Sequence, residues 1–196
     1  MNFLSHLYLA GNSEGLIIGN YIADSVKGSQ FNNFSKEIQQ GILLHRKIDT
    51  FTDSHPMVEQ SKQRLREKYK KYAGVIVDIY YDHYLAINWN QYSNQELESF
   101  VTDIYVIINS NHSLLPEKSV LFTKYMLEHN ILVGYSNLEG IDRVLRGMAR
   151  RTSFESNMEN AIDDLKEHFD LFENEFKIFF PELQNFVSKE IQNSYK

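Results

Sequence analysis

Gly74-Val-Ile-Val-Asp78-Ile-Tyr-Tyr-Asp82-His83-Tyr-Leu-Ala-Ile-Asn-Trp89 is the stretch that decides the fold class. Its β-branched residues lower helix propensity. Positions 75, 76, 79, 80, 83 and 84 nonetheless recur at helical intervals, which predicts a buried helix. On that helix Asp78 and Asp82 share a face. The Asp82-His83 pair sets two candidate ligands or acid–base groups side by side in strongly apolar surroundings. Decoration of a solvated surface does not explain two acids and a histidine in such a segment.

With this segment helical, nothing else in the chain asks for a sheet. Only three prolines and nine glycines interrupt 196 residues, and long segments carry apolar residues at helical spacing. The expected fold is all-α, a compact multi-helix bundle, with 12 tyrosines and 13 phenylalanines filling the gaps between helices. No internal repeat, low-complexity segment or linker is visible, so one domain is expected over residues 1–196.

The expected helices follow in order. Residues 2–10 form the first, with Asn2 as cap, Gly11 as stop and His6 inside an apolar stripe. Residues 13–28 form the second, from Ser13 to Gly28, with Asp24 beside its buried face, where a carboxylate needs a cation, donors or a metal. A central helix covers 35–49 behind Ser35, and a turn over 50–56 leads into a helix over 56–72. Ser93 and Glu96 read as a capping box opening a helix to about residue 110. Further helices are expected from Pro116 to Asn130, over 138–151, and from Phe154 to Phe180, with Pro181 breaking the last before a short terminal helix.

Composition excludes several function classes. There is no cysteine, hence no disulfide, thiolate metal site or cysteine nucleophile. A net charge of −6 argues against a non-specific nucleic-acid binder. No run approaches the ~20 apolar residues of a membrane span, and the N-terminus lacks the marks of a signal peptide, so a soluble cytoplasmic protein is expected.

Chemistry concentrates in the first half. In Gly41-Ile-Leu-Leu-His45-Arg46-Lys47-Ile-Asp49-Thr-Phe-Thr-Asp53, His45 and Asp49 stand one helical turn apart on one face. That is half of a divalent-metal site, or else a helix end where Asp49 and Asp53 pair with adjacent cations. His6, Asp24, His45, Asp49, Asp78, Asp82 and His83 together form a nitrogen and oxygen ligand set without sulfur, suited to Mn²⁺, Mg²⁺, Fe²⁺ or Zn²⁺. Such an ion makes a water nucleophilic at neutral pH, and arginines such as Arg46 and Arg150 can offset phosphate charge. Lys62, Arg64, Arg66, Lys68, Lys70 and Lys71 form a cationic strip, read either as a solvated face or as a dock for an acidic partner, with Lys47 adding to it.

Five blocks also carry a family resemblance: Asn2-Phe-Leu-Ser-His6-Leu, Gly19-Asn-Tyr-Ile-Ala-Asp24-Ser-Val-Lys-Gly28, the 41–53 stretch, Asp82-His83-Tyr-Leu-Ala with Trp89, and Gly147-Met148-Ala-Arg150. In this order, across nearly the whole chain, they resemble the acyl carrier protein phosphodiesterases. The resemblance implies a divergent HD-type phosphohydrolase fold. It further implies an enzyme dependent on Mn²⁺ (or Mg²⁺ or Fe²⁺) that removes 4′-phosphopantetheine from the serine of holo-acyl carrier protein. By the same resemblance Asp24, His45, Asp49 and Asp82 are metal candidates, and His6 and His83 are further ligands or acid–base groups, one of them protonating the leaving serine oxygen. The acidic carrier would meet Lys47, Lys62, Arg64, Arg66 and Lys70. One departure stands out: HD enzymes carry an adjacent His-Asp pair, whereas here His45 and Asp49 are separated and the adjacent pair is reversed as Asp82-His83. The alternatives are an HD-like hydrolase of a nucleotide or other small phosphodiester, and a catalytically silent helical module that binds an acidic protein.

Overall fold

The computed structural model describes residues 1–194, which hold eleven α-helices joined by short 3₁₀ turns and, among the described residues, no strand. The helices are α1 Phe3–Leu9, α2 Glu14–Ile22, α3 Lys36–Ser54, α4 Pro56–Tyr69, α5 Ala73–Ile87, α6 Leu97–Ser110, α7 Glu117–Glu128, α8 Ile131–Gly134, α9 Leu138–Ala149, α10 Ala161–Glu167 and α11 Phe169–Ser194. None is long and apolar enough to cross a membrane.

The deciding stretch is helical, as its periodicity predicts. Along α5, Ile76, Val77, Ile79, Tyr80, Tyr81, Tyr84 and Leu85 are all fully buried, so burial on most sides outweighs the weak propensity of its β-branched residues. α11 lies against it, and Tyr81 meets Phe176 edge to face at 5.6 Å.

α2 and α3 approach each other very closely. A Cβ on Gly41 would lie 2.5 Å from the Leu16 carbonyl oxygen and 2.8 Å from the Gly19 Cα. The two helices therefore touch backbone to backbone, which only glycine at both positions permits. Gly147, which the sequence also suggests as a close-approach position, is different: a Cβ there meets nothing nearer than the Tyr125 hydroxyl oxygen at 3.8 Å.

Several expected boundaries shift, each for a local reason. α2 ends at Ile22 and a 3₁₀ turn carries Asp24, while Gly28 takes a positive φ of 53° further on. α3 does not stop at residue 49 but runs to Ser54, with the Thr50 hydroxyl donating back to the Arg46 carbonyl. The cap of α4 is His55, whose Nδ1 accepts from the Met57 amide, and Pro56 takes the first helical position. No capping box forms at 93–96: the Ser93 hydroxyl accepts from Gln95 and α6 starts at Leu97. Residues 154–160 precede α10 without an α-helix, and Pro181 sits inside α11 rather than ending it. Phe172, Phe176, Phe179, Phe180 and Leu183 are fully buried on both sides of that proline, which offsets its missing hydrogen bond.

The cations of the strip are largely engaged in ion pairs with the chain's own acids. Arg64 forks onto Glu175 of α11 at 2.7 and 2.9 Å, with side-chain exposures of 17% and 5%. Lys62 pairs with Asp53, Arg66 with Glu59 and Lys68 with Asp164, while Lys47 reaches Glu190 of α11. Of the proposed docking cations only Lys70, exposed at a positive φ of 49°, has no such partner among the described residues. Lys62, Arg64 and Lys68 tie α4 to α3, α11 and α10, while the Arg66–Glu59 pair lies within α4.

Asp82 also belongs to the framework. Its carboxylate is fully buried and accepts from the Leu4 amide at 2.8 Å, the Ser5 amide at 3.2 Å and the Ser5 hydroxyl. It thereby fixes the first turn of α1 on α5. Burial pushes its pKa up to about 7 against those three donors.

Asp82→Ala is expected to lower unfolding free energy by about 3 kcal/mol, since it leaves two buried amides unpaired, with Asp82→Asn intermediate. Gly41→Ala is expected to cost about 2 kcal/mol by forcing α2 and α3 apart, whereas Gly147→Ala raises stability by up to about 1 kcal/mol through helix propensity. Urea titration of the three positions checks this ordering.

Candidate metal centre

Three helices deliver side chains to one point. α1 supplies His6, α2 supplies Asn20, and α3 supplies His45 and Asp49 from consecutive turns of one face. The imidazoles of His6 and His45 stack with centroids 3.9 Å apart and planes 16° apart. Both direct Nε2 at Asp49: His6 lies 3.1 Å from one carboxylate oxygen and His45 lies 3.2 Å from the other. Asp24, from the turn after α2, comes within 3.4 Å of His45 Nε2. One ligand atom each from His6, His45 and Asp49 lies within 4.8 Å of the others.

Proton counting shows what this arrangement lacks. His6 Nδ1 faces the Asn20 carbonyl oxygen at 2.9 Å while Nε2 faces Asp49, so both ring nitrogens meet acceptors. A neutral imidazole has one N–H to give. Protonating both is opposed by burial and by His45 alongside, which together bring the His6 pKa down to about 4. With its proton on the Asn20 side, the Nε2 lone pair points at a carboxylate, and a cation between them satisfies both. This is the arrangement in which an outer hydrogen bond orients a histidine ligand. The donor set, two imidazole nitrogens with carboxylate oxygens and no sulfur, fits a divalent ion of the borderline to hard kind.

His45 behaves oppositely. Burial pulls its pKa down, but the bonds to Asp24 and Asp49 outweigh it and raise the pKa to about 9. Burial likewise raises Asp49, and its two imidazole partners reverse that and hold it well below the usual carboxylate range. His45 Nδ1 is buried with no partner, as is the Asn20 amide nitrogen.

The cluster opens onto a polar cavity of about 210 Å³ lined by Met1, Asp24, His45, Asp49, Thr52, Asp53 and Asp78. The Met1 amine lies 3.1 Å from Asp78 and 3.9 Å from Asp49. Asp24 is no buried acid, its side chain being 83% exposed, and its bond to His45 outweighs what burial it has and holds its carboxyl below the usual range.

The structure therefore brings together His6, Asp24, His45 and Asp49. It keeps apart several residues grouped with them by sequence. Asp82 directs both oxygens to α1, where they accept from Leu4 and Ser5, and it is not among the ligand atoms that gather at His6, His45 and Asp49. His83 is buried with Nδ1 2.7 Å from the Tyr135 carbonyl and rings of Tyr84 and Phe169 around it, so it does not reach the cavity as an acid–base group. Arg46 is exposed over the Phe31 ring, 5.9 Å from its centroid. Arg150 lines a different depression with Thr152, Phe154 and Glu159. Its neighbour Arg151 is the arginine that shares a cleft with Asp24. The sequence does not single out Asn20, and it shows Arg151 only as one member of a cationic cluster with Arg150. Asn20 stands in one of the resembling blocks but only its contact with His6 marks it, and Arg151 differs from Arg150 only in the direction it takes at the end of α9.

Comparison with known proteins places these residues in context. A family model described as acyl carrier protein phosphodiesterase matches residues 1–183. Acyl carrier protein phosphodiesterase of Photorhabdus laumondii is 33% identical over 182 residues, covering 92% of each chain. That of Pectobacterium atrosepticum is 32% identical over 184 residues, covering 93% of this chain and 95% of the relative. That of Escherichia coli O6:H1 is 31% identical over 193 residues, covering 96% and 98%. No solved structure matches. With the family model matching residues 1–183 and relatives 31–33% identical over more than nine-tenths of both chains, the chain belongs to the acyl carrier protein phosphodiesterase family.

Proposed function

We propose that this chain is a divalent-metal-dependent phosphodiesterase that removes 4′-phosphopantetheine from the serine of holo-acyl carrier protein and leaves the apo form. The observation that carries the reading is the convergence of His6 and His45 Nε2 on Asp49, with Asp24 alongside. His6, His45, Asp49 and Asp24 hold the ion, and Mn²⁺ suits these donors, with Mg²⁺ or Fe²⁺ as substitutes. When bound, such an ion supplies charge neutralisation at a phosphoryl oxygen and an acidified water.

The chain's own residues do the rest. Asn20 keeps the His6 proton on Nδ1 and so holds Nε2 as a ligand. Asp49 presents one oxygen to each imidazole and sets their spacing. Asp24 stands exposed at the mouth, where a protein-bound phosphodiester arrives first. Neither Asp24 nor Asp49 is paired with an arginine or lysine side chain among the described residues, which counts against a silent module whose acids serve only its own framework.

Holo-acyl carrier protein incubated with the purified chain and Mn²⁺ is expected to lose its prosthetic group, read as a mass shift of the carrier, faster than a panel of nucleotide diesters is cleaved. Chelation abolishes the shift and Mn²⁺ restores it. Asn20→Ala is expected to weaken metal affinity or turnover by about 10- to 100-fold through loss of the outer hydrogen bond, and Asp49→Ala by more. An Asp49→Ala protein with undiminished metal affinity and turnover would remove the proposed centre from the reaction.

A further inference from the structure

The polar cavity is not the only opening at Asp24. The same residue lines a second cleft of about 290 Å³, walled by α1, the turn after α2, α7 and α9. Its surface is chiefly apolar, formed by Phe3, Tyr21, Phe122, Tyr125, Val144 and Met148. A volume near the lower end of the roughly 300–1,000 Å³ range of small-molecule sites suits a slender ligand rather than a broad one.

Two cations line this cleft. Lys118 and Arg151 have no carboxylate within ion-pair distance among the described residues, in a chain whose α4 cations are nearly all paired internally. The Arg151 guanidinium carbon is held 5.6 Å from the Phe122 ring centroid and 5.7 Å from that of Tyr125. Apart from Asp24 and these two cations, the polar side chains of the cleft are few and neutral. The Ser119 hydroxyl donates to that of Ser25 at 2.9 Å, which leaves the Ser25 proton for another acceptor, and Asn2 lies beside them.

We propose that this cleft receives the pantetheine arm of the carrier's prosthetic group, with the phosphodiester at Asp24 and Lys118 and Arg151 meeting its negative charge. The inference rests on the phosphodiesterase reading above and adds the subsite to it. The arm is a neutral, extended chain of methylenes, geminal methyls and amides. It calls for a narrow apolar channel with a few hydrogen-bonding groups, opening directly beside the reacting phosphorus. That combination is what Asp24 joins to the metal-binding cluster. α7 and α9 thereby form the substrate-side wall.

Gly147 gives access to the test. It lines the cleft, its Cβ position is open apart from the Tyr125 hydroxyl oxygen at 3.8 Å, and leucine is a better helix former. In Mn²⁺, wild type and Gly147→Leu are compared on holo-acyl carrier protein and on bis(4-nitrophenyl) phosphate, a diester without the arm. Free pantetheine is titrated into both proteins by calorimetry. The ratio of kcat/KM for carrier over small diester is expected to fall at least tenfold in Gly147→Leu, with pantetheine affinity falling in parallel. Arg151→Gln, at an exposed position, is expected to raise KM for the carrier while kcat holds, with Arg151→Lys partly restoring it; this pair decides the matter if Gly147→Leu does not fold. An unmoved ratio with active wild-type enzyme overturns the subsite and leaves the phosphodiesterase reading standing. If wild type does not act on the carrier, that reading fails, and the titration alone judges the cleft: pantetheine binding that Gly147→Leu abolishes supports it, and equal or absent binding in both overturns it.

Discussion

Backbone contact between α2 and α3 at Gly19 and Gly41 is the constraint on which the rest of the site depends. With no side chain between them, the two backbones come into direct contact. Asn20 follows Gly19 directly, and His45 stands one turn beyond Gly41. The crossing therefore sets the distance at which Asn20, His6 and His45 meet. A methyl group at either glycine would widen that distance before it touched any candidate ligand, so the smallest residues in the pair position the largest part of the chemistry.

α1 is the other half of this positioning, and it is a helix of only seven residues. Alone it would not persist, because so short a helix has too few hydrogen bonds to outweigh nucleation. Asp82 supplies what is missing by accepting its first free amides, and Leu4 and Leu7 are fully buried. His6 then projects from a segment fixed at its start by α5 and along its length by the core. The acid on α5 serves the site by placing a neighbouring histidine rather than by holding an ion.

Much of this was legible in the sequence, and the failures share a cause. The helical class, the His45–Asp49 spacing and the resemblance all follow from local pattern, which needs no knowledge of what packs where. Asp82 and His83 were grouped because they are adjacent, yet neighbours on a helix point roughly 100° apart, and one faces α1 while the other faces the Tyr135 carbonyl. The cations of α4 looked unpaired because Glu175 and Asp164 stand about a hundred positions away in the chain. Pro181 read as a break because its aromatic neighbours could not be seen to be anchored. Arg151 was passed over for Arg150 because one residue at a helix end changes direction without any change in composition.

On the phosphodiesterase reading proposed above, charge explains why such a cavity would call for an ion. Four carboxylates line it, but Lys62 holds Asp53 and the Met1 amine holds Asp78. Asp24 and Asp49 are left, sharing His45. Each carboxylate at about 4 Å from an anionic ester opposes it by about 4 kcal/mol at an effective dielectric of 20, so a substrate phosphate is repelled while they stand alone. Protonated His45 cancels one of these charges, but in that state its Nε2 is spent on the acids and offers nothing to the ester. A divalent cation cancels both and releases His45 as a neutral donor. On that reading attraction falls to Lys118 and Arg151, which share the apolar cleft with Asp24 and have no carboxylate partner among the described residues. Groups that would gather an ion and groups that would gather an anionic substrate then meet at one exposed aspartate, which is how an acidic protein can complement an acidic partner.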